Sequence, residues 1–223
     1  MPRVVARELM DGPVERLAEL AENLDDIERA NRWFSVAEPA HQLIRAIGAT
    51  SVLDVGCGSA DVPNAIMRKL RRAGIPLRMT CLDRSAQMLE IAQARTGSEN
   101  GIAFVQGDGL QLPFADGEFD VVTCHLALHH FEPVEAEQLL REMRRVAART
   151  PFVSDLVRSP LAYVGVLAYA RVLSRNRLTR HDAPLSVRRA YTAREAVGLA
   201  YAAGWSSPAV DIQPFFRMTL HAR

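Results

Sequence analysis

Apolar residues recur at helical spacing from about 14 to 48. Asp25 and Asp26 are placed to cap a second helix there, running through Ile27, Trp33, Leu43, Ile44 and Ile47 to a stop at Gly48. Then the period changes. Short apolar runs at 51–55, 77–82, 102–106, 119–124 and 151–155 read as strands, with helical segments at about 61–73, 85–95 and 134–147. Apolar strands alternating with helices predict parallel pairing through right-handed crossovers, hence an α/β, doubly wound sheet. The end of the chain differs. A helix at 193–203 stops at Gly204, and runs at 209–212 and 215–220 are separated by only Gln213 and Pro214. So short a link joins antiparallel strands, so the expected seven-stranded sheet is mostly parallel and finishes in an antiparallel C-terminal hairpin.

Two further segments complete the expected organisation. Residues 1–48 read as an N-terminal helical cap, and 49–223 as the main domain with a lid insertion at 156–192. Within the lid, 161–173 is the most apolar stretch, but it is too short to span a membrane and carries Arg171. It reads as a buried or substrate-covering helix.

Composition narrows the class. The 223 residues, 48% hydrophobic and 24% charged, suit one globular α/β domain. A net charge of +1 gives the chain as a whole no electrostatic reason to seek nucleic acid or an anionic membrane. The three cysteines, Cys57, Cys81 and Cys124, have no framework spacing and fit a reducing, cytoplasmic setting. Without a CxxC pair, no metal site is expected. The N-terminus has no apolar core of signal-peptide length.

The chemistry begins where the first strand ends: Asp54-Val55-Gly56-Cys57-Gly58-Ser59-Ala60-Asp61. Glycines let the chain turn sharply and let a ligand come close, and the following helix offers free N–H groups. A dinucleotide fingerprint requires glycine at 61, where this chain has Asp61. Asp54, just before the turn, would repel a diphosphate and favour an ammonium group. Asp83 closes the second strand, where a carboxylate accepts hydrogen bonds from both ribose hydroxyls.

The pattern D-x-G-x-G-x-A, an acid ending the next strand, and Gly107-Asp108 after the third strand together resemble a class I methyltransferase dependent on S-adenosylmethionine (SAM). The stretch from Gln106 to Phe114, followed by Phe119-Asp120-Val121-Val122, is similar to the small-molecule group that includes the ubiquinone and menaquinone biosynthesis enzymes. The resemblance covers about 50 to 155. It implies SAM as cofactor and S-adenosylhomocysteine (SAH) as product. It also implies that Gly56 and Gly58 line the methionine part, Asp83 the ribose and Asp108 the adenine amino group. Gly109 or Leu110 would pack the adenine ring, and Arg84 and Met88 would flank the adenosine. Two departures stand out: Ala60 replaces the third glycine of the turn, and 147–150 lacks the proline-glycine turn frequent in the group.

The fourth strand runs into Thr123-Cys124-His125-Leu126-Ala127-Leu128-His129-His130. In a doubly wound sheet the ends of the first and fourth strands border the ligand crevice. Histidine titrates near neutral pH, which makes these three the candidate general bases. The reading puts His125 by the methionine part and His129 or His130 facing the acceptor; a structural or capping role for the pair is the alternative. The strand lacks the (Asn/Asp)-Pro-Pro-(Tyr/Phe) motif of nucleic-acid amino methylases. Cys124 follows Thr123 rather than proline, so it reads as a core residue.

Acceptor-side candidates are Asn31, Arg32, Trp33 and Phe34 from the cap, and Asp155, Arg158, Tyr163, Arg180, His181 and Tyr191 from the strand end and lid. Apolar residues with a few polar groups suit a small, partly hydrophobic acceptor. The lid arginines 171, 175, 177, 180, 188 and 189 read mainly as a solvated face. Residues 7–11 and 180–182 look similar to bacterial methyltransferases encoded beside polyketide or phenolic-lipid enzymes, which favours O-methylation of a phenol or enol. The alternatives are C-methylation of a quinone-like ring, an NAD-dependent oxidoreductase, and a protein that binds SAM without chemistry. Expected partners are the small-molecule acceptor, with no nucleic acid and no membrane insertion, in a monomer or homodimer.

Overall fold

The computed structural model describes residues 1–12, 17–97 and 101–222. The strands are β1 (Ser51–Val55), β2 (Arg78–Asp83), β3 (Ile102–Gln106), β4 (Phe119–His125), β5 (Ala147–Leu156), β6 (Pro208–Gln213) and β7 (Arg217–Ala222). The helices are α1 (Leu17–Trp33), α2 (Glu38–Ile47), α3 (Asp61–Arg72), α4 (Ala86–Thr96), α5 (Pro133–Val146), α6 (Pro160–Leu173), α7 (Arg177–Arg189) and α8 (Ala193–Ala202). One sheet orders the strands β3-β2-β1-β4-β5-β7-β6, parallel from β3 to β5 and antiparallel through β7 and β6. The expected mostly parallel seven-stranded sheet with a terminal hairpin is the one observed.

The sequence pattern explains the layers. Every residue of β1 is buried, as befits a central parallel strand covered on both faces. One face, with Leu53, Val55, Val122, Cys124, Val153, Met218 and Leu220, packs against α5 and α8. The other, with Val52, Met79, Cys81, Val121 and Phe152, packs against α2, α3 and α4. All three cysteines are free and buried.

Four local expectations are corrected. Asp25 and Asp26 do not start a helix; both lie inside α1, where Asp25 pairs with Arg95 at 2.7 Å and Asp26 with Arg29 at 2.9 Å. Asp26 also accepts from Thr179 at 2.9 Å, so tertiary partners, not helix N–H groups, occupy its carboxylate. The break falls instead at residues 34–37, with Ser35 at φ +53°, and Gly48 closes α2 in the left-handed conformation. Residues 14–16 of the expected first helix lie outside the described residues. β5 begins at Ala147, directly after α5, where the missing proline-glycine turn leaves nothing to separate them. The hairpin turn spans 214–216 rather than two residues, and Phe215 and Phe216 both sit at positive φ. Finally, α6 is not a buried helix. It buries Ala162 and Ala170 and exposes Leu161, Val164, Val172 and Leu173.

Candidate functional site

The ends of β1, β2 and β4 form the edge where the sequence-predicted cofactor residues meet. The turn after β1 is pinned by backbone bonds from Gly56 and Cys57 to the Leu82 carbonyl, at 2.8 and 3.1 Å. Asp83 ties the next turn to it: one oxygen accepts from the Gly58 N–H and the other from the Ser85 N–H, both at 2.9 Å. A carboxylate has about four lone-pair sites, so Asp83 keeps acceptor capacity for a ligand. Gly56 has φ +72°, and a Cβ there would lie 3.0 Å from the Ala127 Cβ. Only glycine combines that backbone with that clearance. Ala60 takes the left-handed conformation at φ +57°, a region glycine fills more readily.

The other cofactor candidates lie around this turn. Met88 is half-buried, its Cε 3.9 Å from where a Gly58 Cβ would sit. Arg84 is exposed. Asp108 is exposed and its Oδ1 accepts from the Leu110 N–H at 2.9 Å, while Gly109 is buried against Leu139 and Val55. Asp61, at the start of α3, accepts from the Asn31 amide at 2.8 Å and so fastens the cap to the turn. Burial is the chief cause that raises its pKa.

Asp54 and His125 are buried side by side beneath the turn, His125 Nε2 lying 3.7 Å from Asp54 Oδ1. Burial pushes the Asp54 pKa up to about 8, against a hydrogen bond from the Thr123 hydroxyl at 2.7 Å. Burial likewise pushes His125 down to about 4, with the Asp155 charge opposing and the Arg217 charge assisting. Near pH 7 both groups are neutral, so their contact is not an ion pair.

His129 and His130 have a different setting. The His129 Nδ1–H donates to Asp155 Oδ1 at 2.7 Å, and its backbone N–H donates to Asp155 Oδ2 at 3.0 Å. Its Nε2 faces Glu8 at 3.7 Å, and His130 Nε2 faces the same carboxylate at 3.8 Å. Burial opposes charge on His129, but the Asp155 charge, that hydrogen bond and Glu8 outweigh it and push its pKa up to about 10. Burial also opposes charge on Glu8, but His129, His130 and the Ser186 hydroxyl hold its carboxyl below the usual range. His129 therefore carries its proton at neutral pH and has no vacant nitrogen with which to serve as a base. The ligating atoms of Glu8, His129 and His130 lie within 4.8 Å of one another, a spacing that the His129 proton and the nearby Arg189 already balance.

The acceptor-side candidates divide. Arg158 is buried and donates to the Ala190 carbonyl and to both Glu195 oxygens, which makes it a tie between β5 and the lid. The Tyr191 hydroxyl donates to the Phe131 carbonyl at 2.8 Å, under the Arg3 guanidinium. Arg180 caps the α6–α7 turn through the Ser174 and Arg171 carbonyls. The polar groups of Arg158 and Tyr191 are spent on protein, whereas Arg180 is exposed and uses Nε and Nη2. Tyr163 is half-buried on α6; Trp33 is exposed, and Arg32 borders a cleft of about 100 Å³ between the cap and α3. Arg189 is buried and donates to the His130 carbonyl, so it does not belong to a solvated face. Phe34 does reach the edge of the sheet, its ring 4.8 Å from Phe215 and 5.7 Å from Tyr169.

Sequence reasoning passed over Glu8, Ser154, Tyr169, Phe215 and Arg217. Arg217 had a signal: on β7 it alternates with Met218 and Leu220, marking one polar face of an inner strand.

The chain is similar to known methyltransferases in sequence and in fold. Residues 52–150 match a family model described as a methyltransferase domain. The chain is 37% identical over 108 residues to a demethylmenaquinone methyltransferase of Thermotoga maritima, covering 48% of this chain and 43% of that one. It is 35% identical over 97 residues to the Staphylococcus aureus protein of that name, covering 44% and 38%. The chain thus spans less than half the length of these curated relatives. In fold it is similar to the plantazolicin methyltransferase BpumL in complex with SAH (TM-score 0.69, 14% identity, 94% of this chain and 91% of that one). It is also similar to magnesium protoporphyrin IX methyltransferase from Synechocystis with bound SAH (TM-score 0.59, 17% identity, 95% and 89%). No helix among the described residues is long and apolar enough to cross a membrane.

Proposed function

We propose, from the premise that residues 52–150 form a class I SAM-dependent methyltransferase domain resembling the quinone-biosynthesis enzymes, that the chain methylates an oxygen of a small, partly hydrophobic phenol or enol. The observation that carries the cofactor assignment is the joined pair of turns, in which Asp83 bonds the Gly58 N–H and keeps lone pairs to spare. Two other features fit SAM. Gly56 leaves clearance that any Cβ would take from Ala127. Asp54 Oδ2 is buried without a partner, and an ammonium group nearby would let it ionise. Bound there, SAM supplies a methyl group already activated by its sulfonium. The chain's residues have to orient the acceptor and exclude water, effects worth roughly 7–11 kcal/mol together. Asp108 and Gly109 are assigned to adenine, Arg84 and Met88 to its flanks.

The demethylmenaquinone methyltransferase relatives favour a second reading, C-methylation of a quinone-like ring. Isotope-labelled SAM offered with phenols, enols and quinones separates the two by the atom that gains the label. Calorimetry tests the cofactor assignment directly. Asp83→Ala, Asp108→Ala and Gly56→Val should each weaken SAH binding at least about tenfold, the scale of one lost charge-assisted hydrogen bond, with melting curves checking that each variant is folded. Undiminished SAH affinity in all three, or tight binding of NAD to the wild type, would remove the assignment.

A further inference from the structure

Four side chains at one edge of the sheet, on β1, β4, β5 and the start of β7, hold polar atoms that no protein group satisfies: Asp54 Oδ2, both ring nitrogens of His125, Ser154 Oγ, and Nε and Nη1 of Arg217. None of the four residues is more than 7% exposed. The sheet register brings them together. Asp54 pairs with Thr123 two residues before His125, His125 pairs with Ser154, and Arg217 sits opposite Leu156 at the end of β5. By the pleat, these side chains share the face that also carries Val52, Val121 and Phe152. The Arg217 Nη2 donates to the Phe34 carbonyl, and Phe34 belongs to the ring cluster with Phe215 and Tyr169. The His125 ring lies 6.1 Å from that of Phe152.

Buried polar atoms without partners are costly, and each one in a folded protein requires an explanation. Four such residues on one face of neighbouring strands mark where a ligand completes the bonding. Arg217 is the cation of the four; His125 is neutral near pH 7, and Asp54 is assigned above to the ammonium of the cofactor. With Nε and Nη1 unpartnered and Nη2 held by the Phe34 carbonyl, Arg217 keeps N–H donors on both sides of its guanidinium for an oxyanion. The aromatic cluster beside it suits a flat ring.

We infer that Arg217, with His125 and Ser154, forms a receptor for the oxyanion of an aromatic or enolic acceptor, which binds as phenolate or enolate rather than as the neutral alcohol. This rests on the methyltransferase reading above. On binding, the acceptor loses its proton to solvent. Its oxygen lone pair then forms the new O–C bond, while the electrons of the C–S bond pass to sulfur, which becomes a neutral thioether. One negative and one positive charge cancel, so the transfer step needs no general base. His125 and Ser154 contribute hydrogen bonds to the oxygen, and Arg217 is the specificity-determining residue.

The test uses coloured phenols as probes: 4-nitrophenol, 4-nitrocatechol and 2-hydroxy-1,4-naphthoquinone, each added to the protein saturated with SAH. Each is titrated at a pH below its own pKa in water, and the visible band of the anion is recorded. The wild type should bind at least one probe as its anion. Arg217→Gln should weaken that binding at least about tenfold and abolish the band, as loss of a charge-assisted hydrogen bond predicts. Arg217→Lys, which keeps the charge without the guanidinium, should restore the band with intermediate affinity. His125→Gln and Ser154→Ala should each weaken binding a few-fold. Unchanged SAH binding shows that the variants are folded. Probes that bind only as neutral phenols, bind equally to Arg217→Gln, or do not bind to a protein that still takes SAH would overturn the inference and leave the methyltransferase reading standing. Loss of SAH binding in the wild type would instead sink that reading.

Discussion

His125 and His129 stand four residues apart and have opposite fates. His129 is held by Asp155 and faced by Glu8, so it keeps its proton up to about pH 10. His125 has neither ring nitrogen bonded and stays neutral down to about pH 4. Both are buried, so burial alone decides neither. The difference lies in what each face of the sheet offers. Asp155 and Ser154 are neighbours on β5 pointing to opposite faces; one side meets the N-terminal segment and lid, the other meets the edge under the aromatic cluster. Around His129 the protein has satisfied every Asp155 oxygen, including through the Leu156 N–H at 2.6 Å. That network joins the N-terminal segment, the sheet and the lid. Around His125 the bonds are left for something else.

Breaking the contrast at its strongest point gives the largest effect. Asp155→Ala removes one partner of a buried charged pair and should cost about 3–5 kcal/mol in urea unfolding; a loss under 1 kcal/mol would mean that the network is not structural. Glu8→Gln, which leaves the far side of His129 without its charge, should cost about 1–3 kcal/mol by the same measurement. The pH dependence sharpens the comparison. The pKa of His129 is raised on folding, so its contribution is complete below about pH 6.5 and is lost as pH rises through about 10. Between about pH 9 and 10, above the range in which Asp54 titrates, the urea midpoint should fall in the wild type and fall less in His129→Gln. The smallest effect belongs to the other face. Ser154→Ala removes a hydroxyl with no protein partner and should change stability by less than about 1 kcal/mol, in either direction. A loss as large as that of Asp155→Ala would show that Ser154 is bonded after all.

Much of this was legible in the chain. The strands along the chain, the glycine turn, Asp83 and the terminal hairpin are written in short-range signals: apolar runs, glycines and link length. The acceptor side was not. Arg158 and Tyr191 have the chemistry of binding residues, yet each is spent on carbonyls or carboxylates brought from distant segments. Arg217 looked like one more arginine until the hairpin set its guanidinium beneath Phe34. Asp25 and Asp26 resembled a cap because a carboxylate's preference for free N–H groups is local, while Arg95 and Thr179 arrive from elsewhere in the chain.

By itself, the sequence determined the sheet and the glycine turn after β1, because strand period and glycine backbone freedom act over a few residues. Tertiary structure alone decided which histidine is charged and which arginine is vacant. Protonation and hydrogen-bond satisfaction depend on groups within a few ångströms in space, and here those groups come from residues as far apart as Glu8 and Arg217.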